Sequence, residues 1–220
     1  MSITENLDNL KNDIGDQATL VAVSKTKPAA DILEAYHAGQ RIFGENKIQE
    51  MTRKWEELPK DIEWHMIGSV QRNKVKYMAV YVSLIHGVNS LKLLNEINKQ
   101  ARKHDRVISC LLQIKIAEED SKQGMSAEDA RALLASEEFV TMKHVKICGL
   151  MGMATFTSDE NQLRREFNYL NTIFVNLKQR YPEIQVLSMG MSGDYQLAIS
   201  EGSNMVRIGS SIFGARNYNI

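Results

Sequence analysis

The first strand-like segment of the chain is Leu20-Val21-Ala22-Val23-Ser24-Lys25, a short apolar run that ends in a lysine. Pro28 follows three residues later and suits the start of a helix, because its fixed backbone torsion fits the first helical turn. A strand followed at once by a helix is the repeating unit of parallel α/β folds, whose ligands bind beyond the carboxyl ends of the strands. Lys25 is therefore predicted to lie at the edge of the sheet where ligands bind.

The same alternation of strand-like and helical segments continues along all 220 residues. Helical periodicity is clear in Leu163, Phe167, Leu170, Phe174 and Leu177, and again in Leu94, Ile97 and Ala101. Eight apolar runs predict strands, near residues 19–24, 40–43, 62–67, 81–86, 107–116, 145–150, 184–189 and 204–208. Eight such units in this length favour an α/β fold, a single (β/α)8 TIM barrel, over a doubly wound open sheet.

Helix ends add detail to this prediction. An extra N-terminal helix is indicated by Ile3, Leu7, Leu10 and Ile14, and we expect it to cover the bottom of the barrel. Thr157 with Glu160 predicts a capping box before the long helix, which Pro182 closes. No linker-like composition divides the chain, so we expect one domain spanning residues 1–220.

Composition limits the possible partners. With 27 basic and 27 acidic side chains the formal net charge is zero, so no global field favours nucleic acid or an anionic membrane. No apolar run approaches the ~20 residues of a membrane span, and the N-terminus lacks a signal-peptide core, so we expect a cytoplasmic monomer. Cys110 and Cys148 lie in apolar runs without metal-ligand spacing, which indicates reduced thiols and no metal site.

Lys25 has two interpretations when it is taken alone. It can be a surface lysine in a loop, which is the more common case. A lysine amine that is partly removed from water at this edge can instead form a Schiff base with a carbonyl group of a cofactor or substrate.

Two glycine- and serine-containing segments bear on this choice. TIM barrels often hold a phosphate group at the loops after strands seven and eight, and here those loops are residues 188–193 and 207–211. Glycines let backbone N–H groups approach an anion, and serine hydroxyls add donors. Each segment alone is most often a simple turn, but the two together predict an anion site.

Other polar residues follow the predicted strands. If the bound ligand contains a ring, Asn46 can form a hydrogen bond to a polar substituent of that ring, and Ile67 can pack on its face. His65 and His86 are either general bases or structural histidines. Arg207 is expected to point into the barrel mouth, where its alternative role is an ion pair with an interior carboxylate.

Seven ordered motifs resemble those of the YggS/PROSC-type pyridoxal phosphate homeostasis proteins, whose barrel is similar to the N-terminal barrel of alanine racemase. The resemblance covers almost the whole chain. The motifs lie at residues 23–28, 43–46, 64–68 with 71–74, 121–124, 149–151, 190–194 and 206–209 with 212–216.

This resemblance implies a fold-type III protein in which Lys25 carries pyridoxal 5′-phosphate (PLP) as an internal aldimine. It implies that Ser192, Gly209 and Ser210 hold the phosphate and that Arg207 faces the ring nitrogen, which would stay unprotonated. The predicted cofactor-binding set comprises Lys25, Asn46, Ile67, His86, Met191, Ser192, Arg207, Gly209 and Ser210.

The function expected from the resemblance is to carry and buffer PLP in vitamin B6 and amino-acid homeostasis, with apo-enzymes as recipients. Because the sequence stops soon after the eighth strand, we expect no added β domain and no efficient catalysis. Two alternatives stay open at this stage. One is a PLP-dependent enzyme with weak amino-acid racemase activity, and the other is a Schiff-base aldolase or isomerase acting on a phosphorylated sugar.

Overall fold

A computed structural model describes residues 2–118 and 123–214 of the chain. Ser121 and Lys122 of the fourth motif, and Ala215 and Arg216 of the last, lie outside these residues.

Eight parallel strands close into a barrel in which each strand pairs with its neighbours in the sequence and β8 pairs with β1. This confirms the (β/α)8 prediction and excludes the open doubly wound sheet. The strands are β1 Thr19–Val23, β2 Ile42–Glu45, β3 Glu63–Met66, β4 Leu84–Val88, β5 Ile108–Gln113, β6 Val145–Met151, β7 Val186–Met191 and β8 Met205–Ile208.

Helices surround the barrel: α1 precedes β1, α6 and α7 both lie between β5 and β6, and each of the other strands is followed by one α-helix. Their bounds are α1 Ile3–Ile14, α2 Ala29–His37, α3 Ile48–Glu57, α4 Val75–Met78, α5 Leu91–Lys103, α6 Ala127–Ala135, α7 Glu137–Val140, α8 Glu160–Arg180, α9 Tyr195–Ser200 and α10 Ser210–Phe213. The two predicted apolar stripes are confirmed, since their residues in α5 and α8 are all buried.

Several predicted strand ends were displaced. Tyr81 and Val82 belong to the turn after α4, because both of their N–H groups donate to the Met78 carbonyl. Beyond β5, Ile114 and Ile116 are buried in a loop that pairs at Ile114 with Met125, so the apolar run outlasts the strand. Burial alone does not distinguish these loop residues from strand residues.

Two expectations about helices need correction. Helix α1 contacts α2 and α10 of the outer layer, and Asn6 donates to the Ile212 carbonyl, so α1 does not lie across the bottom of the barrel. The cap of α8 is Asp159, whose Oδ1 accepts from the N–H groups of Asn161 and Gln162, and Thr157 bonds instead to the Asp159 N–H. Asp159 lies two residues nearer the helix than Thr157 and takes the capping position.

The core has two parts. A large cluster lies between strands and helices, and a smaller one of residues from five strands fills the barrel: Val21, Leu84, Leu111, Met151 and Met205. Cys110 and Cys148 form no disulfide. Within residues 2–118 and 123–214, no helix has both the length and the apolar character needed to cross a bilayer.

Candidate functional site

A cavity of about 680 Å³ opens at the carboxyl ends of the strands. Its volume is within the range of small-molecule sites, about 300–1,000 Å³. The lining combines residues from the ends of β1, β2, β3, β5, β6, β7 and β8. The structure thus places a ligand-sized space at the edge of the barrel predicted from the first strand.

Eight of the nine predicted site residues line this cavity. They are Lys25, Asn46, Ile67, Met191, Ser192, Arg207, Gly209 and Ser210. The exception is His86, which is completely buried beneath the cavity floor and contacts other side chains instead.

The β1 side of the cavity is a tight turn that carries Lys25. The Lys27 N–H donates to the Ser24 carbonyl at 3.0 Å, and Thr26 within the turn has a φ of 65°. That left-handed conformation is unfavourable for a β-branched residue. The turn leaves Lys25 half-buried in the cavity wall. Lys27 also lines the cavity, but its Nζ donates to the carbonyls of Phe213 and Gly214.

Asn46 is positioned by a close approach of β2 and β3. A Cβ atom at Gly68 would lie 2.4 Å from the Asn46 carbonyl oxygen, so a side chain there would displace the Asn46 backbone. Glycine at position 68 therefore allows Asn46 and Ile67 to face the same cavity.

The loops after β7 and β8 meet on the other side of the cavity. The Gly209 N–H donates to Ser192 Oγ at 3.2 Å, which joins the two loops directly. Asp194 Oδ1 accepts from the Met191 N–H at 2.5 Å and closes the first loop. Gly190, with a φ of 94°, gives this loop a backbone conformation that glycine adopts most easily. The two loops from which the sequence predicts an anion site therefore meet at the cavity wall.

Arg207 connects the cavity to a buried polar chain. Its guanidinium donates to the Ser188 carbonyl at 2.9 Å, to Ser188 Oγ at 2.6 Å and to the Gly152 carbonyl at 3.0 Å. None of these three partners is a carboxylate, but the negative charge of Asp194 also acts on Arg207 and opposes the lowering of its pKa. Burial lowers the pKa of Arg207 to about 10, which leaves it a cation at neutral pH.

The buried hydrogen-bonded chain of side chains continues from Ser188 to two histidines. Ser188 Oγ lies 3.2 Å from His86 Nδ1, and His86 Nε2 lies 3.1 Å from His65 Nδ1. Burial lowers the pKa of His65 to about 3 and holds the pKa of His86 well below its usual value. Both imidazoles are therefore neutral.

A neutral imidazole donates from one ring nitrogen and accepts at the other, so the two bonds of His86 run in the same direction. In one tautomer the Ser188 hydroxyl donates to His86 Nδ1 and His86 Nε2 donates to His65 Nδ1. In the other tautomer both bonds are reversed, and Ser188 Oγ accepts from both Arg207 and His86. The histidines act as a support for Arg207 and do not reach the cavity as general bases.

A second buried network, formed by Glu45, Glu50 and Lys54, lies behind Lys25. Lys54 Nζ donates to Glu45 Oε1, to Glu50 Oε1 and to the Ser24 carbonyl, at 2.7, 2.7 and 2.8 Å. Burial raises the pKa of Glu45, and the adjacent Lys54 ammonium opposes this shift.

Sequence reasoning missed several residues of the site. Gln113, Met153 and Thr155 line the cavity after β5 and β6. Gln113 was not predicted as a site residue, because the fifth strand was predicted to end at residue 116 and not at Gln113. The signal for Lys54 was its position three residues after Met51 and six after Ile48, on the buried face of α3.

Comparisons with known proteins agree with this geometry. The sequence matches the family described as alanine racemase, N-terminal domain, over residues 1–217. It is 37% identical to the pyridoxal phosphate homeostasis protein of Vibrio alginolyticus, with 99% of both chains covered. Identity to the Escherichia coli K12 protein of the same name is 40%, over 92% of this chain and 88% of that protein.

Solved structures give the same result. The structure of PipY of Synechococcus elongatus with PLP bound matches with a TM-score of 0.88 and 35% identity, over 97% of this chain and 100% of that one. The chain therefore belongs to the pyridoxal phosphate homeostasis protein family, and its barrel is that of the alanine racemase N-terminal domain.

Proposed function

We propose that this protein binds PLP at Lys25 and carries or buffers it, as part of vitamin B6 and amino-acid homeostasis. The observation that carries the proposal is the placement of a lysine amine and of two anion-binding loops in one ligand-sized cavity. An aldehyde that also bears a phosphate needs both features. The names of the relatives, and the PLP in the related PipY structure, support the same ligand.

The residues present fit this cofactor. Ser192 and Ser210 offer hydroxyl donors suited to a phosphate, the backbone of Gly209 bonds to Ser192, and Lys25 offers the amine. Arg207 can only donate hydrogen bonds, so it favours an unprotonated ring nitrogen. When bound, the cofactor supplies an aldehyde for reversible capture and an electron sink, which an unprotonated ring makes weaker.

The cavity is also poorly equipped for proton transfer. Apart from Lys25 and the guanidinium of Arg207, the described titratable residues that line it are Lys27, whose Nζ donates to the carbonyls of Phe213 and Gly214, and Asp194, whose Oδ1 accepts from the Met191 N–H. Racemisation needs acid/base groups on both faces of the substrate. We therefore propose a carrier without efficient turnover, with apo-enzymes as recipients, and the relatives' names, which denote homeostasis, agree with this role.

The carrier proposal is tested by comparing exchange with turnover. Purified protein loaded with PLP is incubated with L- and D-alanine, and product chirality is followed over many equivalents. The same protein is offered to two unrelated apo-enzymes, whose regained activity measures transfer. We expect transfer without multiple turnovers. Sustained racemisation or transamination that depends on Lys25 would replace the carrier with a weak PLP-dependent enzyme.

Removing the loop hydroxyls should weaken cofactor retention. Ser192→Ala and Ser210→Ala each delete a donor to a charged phosphate, worth about 1.5–3 kcal/mol. We expect the dissociation constant for PLP to rise about tenfold or more in each variant, measured by equilibrium dialysis. Ser200→Ala is the matched control, because its hydroxyl donates to the Leu197 carbonyl outside the cavity. An unchanged dissociation constant in the double variant would move the phosphate elsewhere.

A further inference from the structure

We propose that Lys54 is a positioning residue for Lys25, acting with Glu45 and Glu50 to fix the backbone from which the Lys25 amine reacts. The inference rests on the proposed function, because it concerns the covalent step of cofactor capture. In that step the neutral amine adds to the aldehyde carbon and a C=N bond forms. The two amine hydrogens leave with the aldehyde oxygen as one water molecule.

The network holds the two peptide groups on either side of Lys25. Lys54 Nζ donates to the Ser24 carbonyl at 2.8 Å, which orients the Ser24–Lys25 peptide. The Thr26 N–H donates to Glu50 Oε1 at 2.7 Å, which orients the Lys25–Thr26 peptide. The φ and ψ angles of Lys25 are the rotations between these two planes, so fixing both planes fixes the backbone of Lys25.

The hydrogen bonds to the Ser24 carbonyl and from the Thr26 N–H belong to one connected network. Glu50 Oε1 accepts from both the Thr26 N–H and Lys54 Nζ. Glu45 Oε1 accepts from Lys54 Nζ and, at 2.6 Å, from the Ser24 hydroxyl. An ammonium group has three N–H donors, and the three bonds of Lys54 use them all. Lys54 is 1% exposed, so water does not compete for these donors.

The turn that the network holds is strained. Thr26 has a φ of 65°, in a region where β-branched residues are rarely found. Such conformations persist where the surrounding structure over-determines them, and they cluster at functional sites. Loss of the bond to Glu50 would let Thr26 relax and would move Lys25 with it.

Stability alone gives a poor account of this network. A buried ion pair often adds little over apolar residues of similar size, because its charges lose hydration. Among the described residues, Glu45 Oε2 is buried and has no hydrogen-bond partner. The network therefore leaves a carboxylate oxygen unsatisfied while it converges on residues 24 and 26, which a positioning role explains.

The test separates Lys25 reactivity from formation of the cavity. Lys54→Met removes the central ammonium. Glu50→Ala removes the acceptor of the Thr26 N–H. Because Glu50 is less buried than Lys54, this second variant serves if Lys54→Met does not fold. For each variant, stopped-flow absorbance gives the rate of covalent capture of PLP. Fluorescence titration gives the affinity for 4′-deoxypyridoxine phosphate, an analogue that has the ring and phosphate but no aldehyde.

We expect covalent capture to slow by about tenfold to a hundredfold in both variants, because a small misplacement of a reacting group has an effect of this size. Affinity for the analogue should change by less than about twofold, since the phosphate loops lie on the other side of the cavity. Glu50→Gln keeps the acceptor oxygen and should restore the rate to within about threefold of wild type. Arg106→Met is the matched control, because this half-buried arginine holds the carbonyls of Ala79 and Val82 far along the chain from Lys25.

Four results would overturn the inference. Wild-type capture rates in Glu50→Ala would remove the positioning role. A parallel loss of analogue affinity would show collapse of the whole cavity instead, as would an equal slowing in Arg106→Met. Wild-type protein that binds the analogue but captures no PLP at all would contradict the proposed function itself, and the inference with it.

Discussion

Replacing Lys25 with alanine is expected to abolish covalent retention of PLP. Lys25 lines the cavity on the turn after β1, and without its amine the protein would keep only the weaker contacts to ring and phosphate. The loaded wild-type protein should absorb in the visible range and lose that band on borohydride reduction. Lys25→Ala should show neither the band nor a borohydride-trapped adduct.

Lys27→Ala is the control for this experiment. Lys27 also lines the cavity, but its Nζ donates to the Phe213 and Gly214 carbonyls. This variant should keep the absorbance band and the trapped adduct. If Lys25→Ala kept the band, or if only Lys27→Ala lost it, Lys25 would not be the reactive lysine.

Arg207→Met is expected to lower the free energy of unfolding by about 3–5 kcal/mol. The substitution removes the buried donor of the Ser188 hydroxyl and of the Gly152 carbonyl, whereas the Ser188 carbonyl keeps a bond from the Gly152 N–H. Each unsatisfied buried group costs about 1–3 kcal/mol. Urea unfolding of the cofactor-free protein measures the effect without any contribution from the cofactor.

Arg164→Met is the matched substitution at the surface. Arg164 is about half exposed and pairs with Glu201 at 2.8 Å, so its loss should cost only about 0–1 kcal/mol. If Arg207→Met unfolded at the same urea concentration as Arg164→Met, the bonds from Arg207 to Ser188 and Gly152 would contribute no more to stability than a surface ion pair.

Much of the fold was predictable because a parallel barrel repeats a simple pattern. The run from Leu20 to Ser24 is short, apolar and followed by Pro28, and seven similar units follow it. Strand ends were harder, since Ile114 and Ile116 are as buried as strand residues although they lie in a loop. The location of α1 depends on contacts with α2 and α10, far away in sequence, which periodicity does not reveal.

Some residues of the site were predictable from the sequence and others were not. Lys25, Ser192 and Gly209 were predictable from their places after β1, β7 and β8, because barrel topology brings these ends together. His86 was expected at the end of the fourth strand, but it lies inside β4 and is fully buried, a depth that the sequence does not show. Lys54 was missed because a lysine on a charged helix is usually exposed, and its burial depends on Glu45 and on the Ser24 carbonyl.

Peptide mapping of the reduced, PLP-loaded wild-type protein tests the central claim most directly. The loaded protein is reduced with borohydride and digested, and mass spectrometry locates the pyridoxyl group. The account predicts one modified lysine, Lys25, at close to one equivalent per chain. A pyridoxyl group on Lys27 or on any other lysine instead, or no modified lysine in protein that retains the cofactor, would contradict it.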